Sequence, residues 1–249
     1  MNTKPTYIKL SSIRSTNSYL AEIASDSEHG IVVSTIEQTA GRGQRGNSWE
    51  AEPGKNLTFS ILLRPEIIDA RHQFAISEIV SIAITSTLQK LITGKRVAIK
   101  WPNDIYVDDM KICGILIENS LMGYSINYSI AGIGINVNQQ KFLSDAPNPI
   151  SLYNLIGKET ALDSLLDDIC CEILLLMDKY NNTDLLPELH NSYIKLLWRN
   201  DGYYLYQDTT TNERFNARII DVAPSGLLTL KDDKDCSRTY AFKEVSAIL

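Results

Sequence analysis

Two short segments concentrate the side chains able to do chemistry. Residues 38–49 read QTAGRGQRGNSW, and residues 100–118 read KWPNDIYVDDMKICGILIE. The first follows a β-like run over 31–37 and packs Gly41, Gly43 and Gly46 with Arg42 and Arg45 into one loop. Glycines let backbone N–H groups approach an anion closely, and guanidinium forks neutralise it. The second supplies Lys100, Asn103, Asp104 and Lys111 on a strand–turn–strand pattern. A loop suited to phosphate, next to ordered lysine and carboxylate groups, predicts chemistry on a nucleotide and not binding alone.

Gly41, Gly43 and Gly46 satisfy the dinucleotide fingerprint GxGxxG, which requires a helix directly after it. Here the loop runs on through Pro53 and Gly54 into a second β-like run over 57–64, so that reading fails. The NTPase phosphate loop fails because no Lys-Ser/Thr follows Gly46. A kinase loop fails for want of HRD and DFG segments. A surface loop with incidental arginines is the plain alternative.

The 249 residues allow one large domain or one domain with a small module. The chain is 44% hydrophobic and 22% charged, enough for a sizeable core, and its net charge of −6 argues against a dedicated nucleic-acid binder. No signal-like start and no apolar run of membrane-spanning length is present, so a cytoplasmic protein with no membrane partner is expected. Cys113, Cys170, Cys171 and Cys236 form no CxxC, and His29, His72 and His190 fit no ligand spacing. Structural zinc and disulfides are therefore not expected, and any metal ligands stay unknown.

Around these segments the pattern predicts a strand at 7–10, then a helix capped by Ser15-Thr16-Asn17. Strands follow at about 31–37 and 57–64, and a helix over 68–92 ends at Gly94. Further strands are expected at 97–100, 105–107 and 111–118, with Asp108-Asp109 as a turn. Residues 124–138 read as a strand pair or one long strand. Helices are expected over 161–180 and about 184–198. After Trp198 come short β-branched and aromatic runs, 203–206, 215–222 and 227–230, punctuated by Gly202, Gly226 and Asp232-Asp233. This predicts an α+β domain over 1–198 and a small β-barrel over 199–249.

QTAGRGQRGNSW, KWPNDIYV, KICGILIE and GIGIN, in this order and with Ser15-Thr16-Asn17 before them, closely resemble the biotin protein ligases. The resemblance covers the whole chain. It implies a class II synthetase-like catalytic domain, a mixed or antiparallel sheet backed by helices, and an SH3-like C-terminal barrel. It also implies the activity: biotin and Mg-ATP react to biotinyl-5′-AMP and pyrophosphate, and biotin then passes to one lysine of a biotin carboxyl carrier domain. Adenylation suits the chemistry, because a carboxylate needs a good leaving group before an amine can displace it in water. Bringing carboxylate and triphosphate together calls for cations, and Arg42, Arg45 and Lys111 are candidates.

By resemblance, Ser15, Thr16, Asn17 and Gln38 would hold biotin, with Gly41, Gly114 and Gly132 leaving it room. Arg42 and Lys111 would hold the reacting carboxylate and phosphate, and Asp104 would orient the incoming lysine or a metal-bound water. Gly43, Gln44, Arg45, Asn47, Trp49, Lys100, Asn103 and Asn136 would contact the nucleotide. Plainer readings stand beside these: a helix cap for Ser15 and Thr16, turn chemistry for Asn103 and Asp104, a solvated strand residue for Lys100, plain core for Trp49, and bulges for Gly132 and Gly134. Gln44 and Asn47 depart from the bacterial pattern GRGRRGRxW. Gln makes no bidentate charged contact, which implies a weaker grip on the adenylate. Some relatives carry an N-terminal helix-turn-helix and act as repressors. Here the first motif begins at Ser15, so neither that role nor a DNA partner is expected, while a homodimer stays open. Lipoate ligation and non-catalytic biotin sensing are the alternatives.

Overall fold

The computed structural model describes residues 4–41, 43, 49–143 and 148–248. Seven strands form one sheet: β1 (Thr6–Ile13), β2 (Ile31–Gln38), β3 (Leu57–Leu63), β4 (Val97–Lys100), β5 (Asp104–Val107), β6 (Met110–Met122) and β7 (Ser125–Ile135). Their order is β1-β2-β3-β7-β6-β5-β4. Only β1 and β2 run parallel, joined through α1 (Thr16–Ile23), and every other neighbouring pair is antiparallel.

The central strands are covered on both faces. In β3 the odd positions Leu57, Phe59, Ile61 and Leu63 join the main core with α2 (Phe74–Leu91), α4 (Leu162–Lys179) and α5 (Leu186–Leu196). On the opposite face Leu62 packs with Leu20 and Ala24 at α1, with Val33, and with Ile130 of β7. Period-two alternation leaves Thr58 and Ser60 on that α1 face too. β7 repeats the pattern: Ala131, Ile133 and Ile135 go to the main core, and Gly132 and Gly134 face the α1 side.

The C-terminal residues form a second, antiparallel sheet, β11-β10-β9-β8-β12, from β8 (Tyr204–Asp208), β9 (Arg214–Val222), β10 (Leu228–Asp232), β11 (Ser237–Tyr240) and β12 (Val245–Ala247). Its aromatic spine stacks Tyr206, Phe215 and Tyr240 at centroid distances of 6.3 and 6.1 Å. The Arg199 guanidinium sits 4.0 Å from the Trp198 ring centroid and 4.9 Å from that of Tyr204, and donates to the Ile248 carbonyl. His190 of α5 bridges Glu78 of α2 and Asp221 of β9, each at 2.7 Å.

Several boundaries differ from the sequence reading. The helix expected from residue 68 starts at Phe74. Asp69 caps a separate single turn over Ala70–His72, accepting from the backbone of Arg71 and His72. Of the two readings left open for residues 124–138, the single strand is the one present, paired with β6 through a hairpin that turns at Gly123 with φ +64°. The short α3 (Leu152–Ile156) carries no periodic signal. It stands on a capping box between Ser151 and Asn154 and ends at left-handed Gly157. Among the described residues, no helix is long and apolar enough to cross a membrane.

Candidate functional site

A cavity of about 1080 Å³ opens on the α1 face of the larger sheet and reaches the smaller one. Its floor explains two glycines that a bulge does not. Gly132 pairs with Ser60 and Leu116, and Gly134 with Thr58 and Gly114, in unbroken register. The only shift between β6 and β7 lies at Ser120/Leu121. A Cβ on Gly132 would lie 2.8 Å from Asn17 Cγ, and one on Gly134 would lie 2.5 Å from Trp49 Nε1. Real Cβ atoms essentially never come so close. Gly114 lies under the same indole, where a Cβ would come 3.0 Å from Trp49 Cζ3. The glycines thus admit Asn17 and Trp49 directly onto the sheet.

One end of the cavity is a ring of polar side chains. Ser15 caps α1, its Oγ accepting from Ser18 N–H at 3.4 Å. Capping and cavity wall are both its roles, since it lines the cavity with Thr16, Asn17 and Gln38. Gln38 Oε1 accepts from Thr16 N–H at 2.9 Å and lies 3.3 Å from the Thr16 hydroxyl. Ser60 Oγ lies 2.7 Å from Thr16 Oγ1 and 2.5 Å from Asn17 Oδ1. Asn17 Nδ2 donates to Glu118 at 2.7 Å. A carboxylate only accepts, so Glu118 fixes which way the Asn17 amide faces. The result is a buried cluster of hydroxyls and amides suited to a neutral, polar, planar group.

The other end carries charge. Lys111 Nζ meets Asp104 Oδ1 at 2.7 Å, and both side chains are mostly shielded. Their meeting depends on a register shift between Ile105 and Tyr106: Asp104 pairs with Gly114, whereas Tyr106 pairs with Lys111. Lys111 and Gly114 are three residues apart, so strict alternation would place them on opposite faces. The extra residue in β6 returns Lys111 to the cavity, leaving Ile112 and Cys113 both fully buried. Lys111 Nζ also lies 5.7 Å from the Trp49 ring centroid.

Lys100 donates to the Tyr106 hydroxyl at 2.9 Å, with the Tyr106 and Trp198 ring centroids 4.6 and 5.5 Å away. Burial lowers its pKa, partly offset by Asp104. It is a caged cation, not a solvated strand residue. Asn103 Nδ2 donates to the Ile115 carbonyl at 2.6 Å, and Asn136 Nδ2 to the Ile150 carbonyl at 3.1 Å. Both line the cavity, as does Gly43. Gly41 does not. It sits where a Cβ would lie 2.9 Å from Gln38 Nε2 and 3.0 Å from the Trp49 carbonyl. Trp49 Nε1 is buried and has no acceptor among the described residues. Arg42, Gln44, Arg45 and Asn47 lie outside the described residues.

Sequence reasoning passed over Ser60, Glu118 and the walls given by the smaller sheet, Tyr206, Phe242, Lys243 and Val245 among them. Ser60 left one signal, with Thr58: two hydroxyls at alternate positions of an otherwise apolar strand. Glu118 closes the KICGILIE motif without being singled out, and the distant walls left no signal.

A sequence model of the biotin/lipoate A/B protein ligase family matches residues 10–136. The chain belongs to this family. The match spans α1, the cavity floor and the Lys111–Asp104 pair. Among its relatives, the bifunctional ligase/repressor BirA of Bacillus subtilis is 29% identical over 247 residues, covering 93% of this chain and 70% of that protein. The biotin–[acetyl-CoA-carboxylase] ligase of Paracoccus denitrificans is 35% identical over 125 residues, 49% of this chain and 51% of that one. In fold, the chain resembles the biotin protein ligase of Aquifex aeolicus, solved in complex with biotin and ATP: TM-score 0.78 at 22% identity, covering 98% of each chain.

Proposed function

We propose that this chain is an ATP-dependent biotin–protein ligase. In the first step the biotin carboxylate attacks the α-phosphorus of ATP, the bond to pyrophosphate breaks, and biotinyl-5′-AMP forms. In the second, the uncharged amine of a lysine on a biotin carboxyl carrier domain attacks the acyl carbon and AMP leaves. The observation that carries this reading is the cavity's polarity: a neutral hydrogen-bonding ring at one end and the Lys111–Asp104 pair at the other. Biotin has the same two ends, a ureido ring and a carboxylate. The family's relatives support the same assignment.

Ser15, Thr16, Asn17 and Gln38 then serve the ureido ring, over a floor kept flat by Gly114 and Gly132. Lys111 screens the carboxylate and the phosphate as they approach and gains most as charge builds on the pentavalent phosphorus. Asp104 holds Lys111 in place. It also orients the incoming lysine of the acceptor. Arg42, with Gly41 beside it, and the loop residues Gly43, Gln44, Arg45 and Asn47 serve carboxylate and phosphates. Trp49, Lys100, Asn103 and Asn136 serve the nucleotide. Magnesium, as part of the Mg-ATP substrate, would supply charge neutralisation there. Among the described residues no group of three or more His, Cys, Asp or Glu could hold it alone.

Incubating the protein with biotin, Mg-ATP and an unmodified carrier domain tests the whole sequence. The expected product is a carrier bearing one biotinyl group on one lysine, read by mass spectrometry. Lipoylation in place of biotinylation would move the chain to the other branch of its family. Binding of biotin without any transfer would make it a sensor.

A further inference from the structure

The turn 101–103 leads the chain from β4 into Asp104, and it is held at both ends. On the sheet side Ile115 N–H donates to the Asn103 carbonyl at 2.9 Å, and Asn103 Nδ2 donates to the Ile115 carbonyl at 2.6 Å. On the other side Trp101 Nε1 donates to the Gly226 carbonyl at 3.0 Å, and its ring meets Phe242 edge-on at 6.5 Å. Gly226 belongs to the loop between β9 and β10, far from Asp104 in sequence. That loop is itself seated on α2. Phe74 N–H donates to the Pro224 carbonyl at 3.3 Å, and a Cβ on Gly226 would lie 2.8 Å from the Phe74 ring, at φ +88°. Gly226 and Phe74 wall a smaller cavity of about 290 Å³ on the helix side, with Trp101 and Asn103 forming its partition from the larger one. Gly226 does not line the larger cavity.

We propose that loop 224–226 of the smaller sheet sets the position of Asp104, and through it Lys111, with Trp101 as the positioning residue that carries the constraint. Asp104 is the first residue of β5, paired with Lys100 of β4 and Gly114 of β6, so the turn acts on its carboxylate through the end of the ladder. Released at Trp101, the turn keeps its Asn103–Ile115 anchor and the Lys100–Asp104 pairing at its base, and can shift about them. A shift of about 1 Å in a reacting group is enough to cost orders of magnitude in rate. Loop 224–226 thereby tunes the chemistry without lining the larger cavity. This inference rests on the proposed ligase activity.

The test uses the full chain and biotin-dependent adenylation. Trp101→Phe keeps an aromatic ring and removes the N–H donor. Gly226→Ala drives the loop off Phe74. Pro224→Gly loosens the same loop without a clash and replaces Gly226→Ala if that variant does not fold. Each folded variant is expected to lose roughly tenfold or more in kcat, with the KM for biotin changed less than about twofold. Combining Trp101→Phe with the loop variant is expected to cost no more than the worse single change, because both release one constraint. Wild-type kcat in either folded single variant overturns the proposal. So does a biotin KM that rises in step with the loss, or losses that multiply in the double variant. Absence of adenylation in the wild-type protein would instead overturn the ligase reading beneath it.

Discussion

Replacing Gly132 by Ala tests whether the polar ring recognises biotin. The new methyl group would lie 2.8 Å from Asn17 Cγ and 3.0 Å from Nδ2, and Asn17 is itself buried. Asn17 must move by several tenths of an ångström or more. Its bonds to Ser60 at 2.5 Å and Glu118 at 2.7 Å then stretch or break. The first is worth about 0.5–1.5 kcal/mol and the second, to a carboxylate, about 1.5–3 kcal/mol, while Ala in a strand interior recovers about 0.5–1 kcal/mol relative to Gly. The two effects leave a net destabilisation of about 1 to 4 kcal/mol, or a Tm lowered by up to about 15 °C. Ligand binding has no such compensation. Moving the ring away from one neutral hydrogen bond to biotin costs about 1.4 kcal/mol, a roughly tenfold rise in Kd. Calorimetric titration of biotin into the folded variant, beside its melting curve, reads both numbers. A Gly132→Ala protein that binds biotin as tightly as the wild type would refute the placement of the ureido site.

Ser60→Ala is expected to raise the KM for biotin severalfold at nearly constant kcat, because its hydroxyl sits at 2.5–2.7 Å between Thr16 and Asn17 and away from the charged end; an unchanged KM would count against the ring. Lys111→Ala is expected to slow adenylation by roughly two to three orders of magnitude, comparable to losing one oxyanion donor. Pyrophosphate exchange measures this, and a near-wild-type rate would exclude the assigned role. His190 faces Glu78 and Asp221, and its hydrogen bond to Glu78 leads in raising its pKa to about 9. A histidine raised in the folded state stabilises fully below its unfolded pKa, about 6.5, and that contribution fades as pH rises through about 9. Melting curves across this window are expected to fall faster for the wild type than for His190→Gln; parallel curves would deny the link.

How far the sequence reveals the molecule depends on how local each feature is. The cap at Ser15, the strands around 31–37, 97–100 and 105–107, and the helix at 161–180 follow from neighbouring side chains and appear within a residue or two. Helix α2 begins six residues late because Asp69, a short-range cap, captures the preceding turn. At the site, residue types were legible and their geometry was not. Lys111 and Asp104 stand side by side only because the β5–β6 register slips at Ile105/Tyr106, an event no pattern of alternation announces. Trp49 resting on Gly114 and Gly134 joins segments brought together by the sheet alone. The cavity walls from β8 to β12 are more remote still, and their contribution follows from how the two sheets dock.

The central claim is that this cavity joins biotin to AMP. Its most direct measurement is rapid mixing of the protein with biotin and Mg-ATP, with no acceptor present, followed by quantification of pyrophosphate and of protein-bound nucleotide. The account predicts a biotin-dependent burst of about one pyrophosphate per site, with biotinyl-5′-AMP retained on the protein, since adenylation precedes transfer in a two-step reaction. It predicts no burst with lipoate. A burst that needs lipoate, or none under conditions where biotin measurably binds, would contradict it.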